Sequence, residues 1–113
     1  MMYQIDLAKD FSEFPFGRTS PEDGEFTGQR FRDNILKPAI ERLKAGDKID
    51  VNLDGIIVGI GSSFLSESFG GMVKKGYISK ERLLEVLIIT CEDEVYKREI
   101  NKYINEAVVE EEA

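Results

Sequence analysis

The chain opens on an alternation. Tyr3, Ile5 and Leu7 fall on one side and Gln4 and Asp6 on the other, which predicts a half-buried strand over 3–8. A long loop, about 9–27, follows, punctuated by Pro15, Gly17, Pro21 and Gly24. It carries Phe11, Phe14, Phe16 and Phe26, too many aromatics for a purely solvated loop. They are expected either to fold back on the core as a plug or to form a partner surface.

From Thr27 or Gly28 to about Ala45 the period becomes helical, with Phe31, Ile35, Ala39, Ile40 and Leu43 on one face and Gly46 closing it. Pro38 lies inside this pattern and should kink or split the helix, since it has no N–H for the carbonyl of Asn34. A central strand is predicted over 48–60. Ile49, Val51 and Leu53 alternate, Ile56, Ile57 and Val58 run together, and Gly55 marks a bulge or turn. Gly61, Ser62 and Ser63 open a second helix, with Leu65, Phe69, Met72 and Val73 on one face and Gly76 at its end. Ser79 caps a short helical turn through Leu84. A buried strand over 85–91 holds Val86–Ile89, and a last helix begins near Asp93 with Tyr96, Ile100, Tyr103, Ile104, Ala107 and Val108 on one face.

Strand and helix thus alternate three times, which predicts a single α/β domain over 1–113 with a parallel or mixed sheet covered by helices. Within it, 1–27 form the N-terminal strand and long loop, and 108–113 an acidic tail, frayed at its end.

Composition narrows the chemistry. The 113 residues are 42% hydrophobic and 33% charged, as in an ordinary globular domain. The net charge of −7 argues against nucleic acid, whose phosphates are bound by Lys and Arg, and against anionic membranes. No apolar run spans a bilayer, and the start lacks the basic and apolar regions of a secretory signal. One cysteine, Cys91, fits a reducing, cytoplasmic compartment and is read as packing. There is no histidine, hence no Ser-His-Asp triad, and no cysteine cluster for zinc. Neither catalysis nor a cofactor is expected.

The distinctive stretch is the passage from strand to helix at Gly61-Ser62-Ser63. It lies where ligands bind in open α/β folds, and helix N-termini offer free N–H groups to a phosphoryl group or an anionic partner. Serine is equally a standard N-cap, so one hydroxyl can simply serve the helix backbone. Glu67, one turn on, could face the same site. Arg18 and Asp23 reach it only if the long loop folds across the sheet edge.

This pattern resembles the STAS domain, the fold of the bacterial anti-sigma factor antagonists. There, a helix precedes a strand carrying Asp, and Asp-Ser-Ser-Gly or Asp-Ser-Thr-Gly opens the next helix. Here the helix is 27–45, Asp54 lies on the strand, and the turn is Gly61-Ser62-Ser63-Phe64, with Gly61 for Asp and Phe64 for Gly. The chain is most similar to the small STAS-like group of unassigned function. The shared features are Ser62–Leu65, Glu67 and Phe69-Gly70, with Arg18, Asp23-Gly24, Gly28 and Phe31-Arg32 upstream. The resemblance implies a mixed STAS-like sheet and a bacterial-type signalling role as a regulatory protein-binding module. It also implies phosphorylation at Ser62, with Ser63 beside it, and a protein partner of the GHKL-type ATPase/kinase class. The partner-binding set is then Gly61, Ser62, Ser63, Phe64, Glu67, Arg18 and Asp23. The alternative is a phosphate- or nucleotide-binding protein or enzyme subunit using the same turn.

Overall fold

A computed structural model describes residues 1–110. Its three strands are β1 (Met2–Asp6), β2 (Lys48–Asn52) and β3 (Leu87–Thr90), in the order β1-β2-β3. Both pairings are parallel, with Ile5 opposite Val51 and Val51 opposite Ile89. The sheet, expected to be parallel or mixed, is therefore parallel throughout its described strands. The strand expected over 3–8 ends at Asp6, and a single π-helical turn, Leu7–Phe11, follows it. Four further helices join and follow the strands: α1 over 28–41, α2 over 62–74, α3 (Lys80–Val86) and α4 (Glu94–Glu106). Among the described residues, no helix is long and apolar enough to cross a membrane.

Period two decides which face of the sheet is buried. Ile5, Leu7, Ile49, Val51, Leu53 and Ile89 point into the core, while Gln4, Asp50, Ile88 and Thr90 lie on the other, more open face. The helices thus cover one face only. Against that face pack Phe31, Phe64, Phe69, Met72, Leu83, Ile100 and Ile104, each 2% exposed or less. Phe69 is core, as its helical spacing predicts.

The two helices nearest the serine turn each contain a π-helical turn. In α1 it is Arg32–Leu36, where Lys37 N–H donates to the Arg32 carbonyl instead of to Asp33. Pro38 follows directly, in Lys37–Glu41. The helix thus absorbs the missing proline donor by widening one turn rather than by ending. In α2 the π-turn is Ser66–Gly70. The two helices touch where α1 begins: a Cβ on Gly28 would lie 2.7 Å from the Phe64 carbonyl oxygen, so only glycine permits this approach. Next to it Arg32, 2% exposed, pairs with Glu67 of α2 and, through Nε at 2.9 Å, with Asp33.

The largest departure from expectation is the strand predicted over 48–60, which stops at Asn52. Asn52 Oδ1 accepts from Asp54 N–H at 2.8 Å, and Asp54 and Gly55 turn the chain away. A Cβ on Gly55 would stand 2.6 Å from the Ala8 Cβ, so the turn passes too close to β1's continuation for any other residue. The following apolar run is a loop that buries Ile56 and Ile60 and leaves Ile57 and Val58 98% and 65% exposed. Likewise Val86 ends α3 and only Leu87–Thr90 is strand.

The aromatic loop divides between its two expected roles. Phe11 plugs the core, with ring centroids 5.3 Å from Phe31 and 6.2 Å from Phe64. Phe26 stands edge-on to Phe11 at 6.0 Å. Phe14 and Phe16 face solvent. At the edge of β1, the Asp10 carboxylate accepts from Asp6 N–H at 2.7 Å. The tail's last three residues, 111–113, lie outside the described residues. Its described part is anchored rather than frayed: Glu110 N–H donates to the Lys74 carbonyl at 2.8 Å and its carboxylate meets Lys75 Nζ at 3.0 Å. That lysine holds the Glu110 carboxyl below its ordinary value. Val108, placed on the buried face of the last helix by its spacing, falls after the helix end and is exposed.

Candidate functional site

The chain between β2 and α2 arrives at the carboxyl end of the parallel sheet. Gly59 takes φ +83°, and Ile60 N–H is held by the Tyr96 hydroxyl of α4 at 3.1 Å. Gly61 is then the N-cap, with extended φ −73° and ψ 152° and no side-chain capping bond. This differs from the capping role open to either serine. Ser62 and Ser63 are the first two helical residues. Neither hydroxyl hydrogen-bonds a described residue, and nor do the backbone N–H groups of residues 62–64. Ser62 is exposed and Ser63 half-buried. Phe64, next along, is 1% exposed and fixes the turn to the core.

The remaining expected site residues scatter. The Glu67 carboxylate is engaged by buried Arg32 and ties α2 to α1. Burial opposes the Arg32 charge, but hydrogen bonds to Asp33 and Glu67 outweigh it and raise its pKa. Asp23 Oδ2 accepts from the N–H groups of Arg18 and Thr19 at 2.9 and 3.3 Å, which closes the long loop on itself. The Arg18 carbonyl accepts from Gln29 N–H at 2.9 Å, so its backbone lies beside the start of α1. Its guanidinium is exposed and bonds no described side chain. Arg18, Asp23 and Glu67 are thus drawn to the start of α1 and its contact with α2. Among the described residues, no hydrogen bond or ion pair links Arg18 or Asp23 to Ser62.

What stands at the turn instead is a cleft of about 560 Å³. Phe14–Phe16 form one wall, and Val58–Gly61 with Tyr96 form the other. Sequence reasoning placed Val58 in a strand and Tyr96 in the core and so missed both. The signal was present in Asp54-Gly55, a turn dipeptide, and in the second glycine four residues on. Beyond the cleft, Cys91 is half-buried, and burial first, then Glu94, Asp54 and Asp93, push its thiol pKa up against the Lys97 backbone N–H. No group of acids, histidines and cysteines among the described residues could hold a metal.

Residues 27–97, from the cap of α1 to the first turn of α4, match the family described as STAS-like domain of unknown function (DUF4325). The chain belongs to this family. No curated protein and no solved structure matches it. The match on this STAS-like domain takes in α1, β2, the serine turn, α2, α3 and β3. It includes the Val58–Gly61 wall and Tyr96 but leaves out β1 and the Phe14–Phe16 wall. The serine turn is thus part of the family core, while half of its cleft comes from the preceding segment.

Proposed function

We propose that this STAS-like domain is a regulatory protein-binding module that meets its partner through Gly61, Ser62, Ser63 and the start of α2. Ser62 is the hydroxyl that takes a phosphate. The supporting observation is that both serines begin the helix without capping it, so their hydroxyls are uncommitted. Gly61, standing where the antagonists carry Asp, supplies no carboxylate to compete for the free N–H groups of the first turn. Phosphate adds about −1.5 to −2 charge, which a helix N-terminus tolerates, so the domain stays folded and the change is felt at the interface. Beside Ser62 that interface is apolar, and seating a partner there would strip water from the charge.

The domain acts by binding, without catalysis or cofactor, in the cytoplasm. Its partner class is the one the resemblance implies, a GHKL-type ATPase/kinase. The test is recovery of the native protein with its partner, with Ser62 and Ser63 phosphorylation read by mass spectrometry. The partner is then titrated against two variants. Ser62→Ala should bind like the parent and Ser62→Asp more weakly. Equal binding by both would remove the switch. Saturable nucleotide binding lost in Ser63→Ala would replace this function with a phosphate-binding one.

A further inference from the structure

The cleft beside Gly61 is apolar inside and acidic outside. Phe14 and Phe16 are 63% and 68% exposed, and Val58 faces them from the other wall. Neighbouring Ile57 is almost wholly in water. Large side chains left in water around one concavity are uncommon unless something covers them. The segments that build the cleft also carry Glu13, Asp54, Glu92, Asp93 and Glu94, all exposed, against the exposed cations Lys97 and Arg98 just after Tyr96, so acids outnumber bases there. Asp54 Oδ1 accepts from Glu92 N–H at 2.7 Å, which joins the Val58 loop to the start of α4 and gathers these acids at one end of the sheet.

We propose that this cleft seats a bulky apolar side chain presented by a basic segment of a partner protein. The inference rests on the protein-binding role above and names the chemistry of the partner's face. Binding energy concentrates in an anchor that fills a pocket, whereas rim charges set partner choice and encounter rate. Here the pocket is apolar and its acids lie on segments other than the serine turn, so an anchor flanked by Lys or Arg satisfies both, while a phosphate on Ser62, beside the pocket-lining Gly61, would meet the apolar anchor. A second copy of this chain, itself at net charge −7, would bring like charges together. Nucleic acid would bring phosphates to the same acids.

The test is selection of short random displayed peptides against the full chain, followed by titration of the enriched sequences. They should carry Trp, Phe or Leu close to Lys or Arg, and bind more weakly as salt is raised. Phe16→Ala combined with Val58→Ser should weaken them about tenfold or more, the scale of a lost anchor contact. Both positions are exposed, so an unchanged melting curve should show that the fold is intact. Enrichment of acidic peptides, no enrichment, or binding that survives the double substitution would overturn the proposal. The switch is read separately. A chain whose Ser62 variants bind the native partner unequally, but which enriches no basic peptide, loses the cleft proposal and keeps the switch. The reverse result keeps the cleft and loses the switch.

Discussion

The helix starts at Ser79 and at Ser62 look alike in sequence and are built differently. Ser79 is an N-cap, with its hydroxyl accepting from Arg82 N–H at 3.2 Å. Thr27 and Asp93 do the same for α1 and α4. At α2 the cap is a glycine, and the two serines fall one and two residues inside. A capping hydroxyl is consumed by the backbone it serves, whereas one inside the first turn points away from the axis and stays free. The helix makes no hydrogen bond to the Ser62 hydroxyl.

Substitutions can break that comparison. The largest effect belongs to Phe64, two residues beyond Ser62 and 1% exposed. Phe64→Ala should cost about 3–5 kcal/mol in denaturant melts, the usual loss for a buried aromatic. A loss under ~1 kcal/mol would mean that the turn is not anchored by its own helix. Ser79→Ala should cost about 1 kcal/mol, the worth of a cap. Cys91 reports chiefly on its own burial, to which the nearby acids add. Its thiol, raised by burial and by Glu94, Asp54 and Asp93, should react with iodoacetamide several-fold more slowly at neutral pH than in the denatured chain, because less of it is thiolate. The gap should narrow as pH rises; equal rates at neutral pH would mean that the thiol is not held up by its surroundings. Smallest is Ser62→Ala, which should shift stability by no more than about 0.5 kcal/mol. A cap-sized loss there would return Ser62 to a structural role.

The alternating strands, the helical faces, Phe69 in the core and the order of elements were legible in the sequence because each depends on neighbours along the chain. The run Ile56–Ile60 was not. Val86–Ile89 reads much the same, yet Leu87–Thr90 pairs with β2 while Ile57 and Val58 stand in water. The difference begins locally, where Asn52, Asp54 and Gly55 turn the chain, and is then fixed from afar by the Tyr96 hydroxyl holding Ile60. The same holds for the turn. Ser62 could be placed at a strand-to-helix turn from its neighbours along the chain, but the Glu67 ion pair could not be foreseen because its partner, Arg32, lies 35 residues away. The cleft needed Phe14, Val58 and Tyr96 from three separate segments.

One carboxylate at the sheet's border sets how this protein can associate. The register of β1 on β2 turns the backbone groups of Gln4 and Asp6 outward, as every border strand must turn some. Such groups are an open template on which another chain can lengthen the sheet. Asp10 sits on that template, with its side chain occupying the place an incoming carbonyl would take on Asp6 N–H. A strand arriving there would have to evict a charged acceptor and offer a neutral one, a poor exchange. Growth by stacking strand on strand is thereby discouraged at this border.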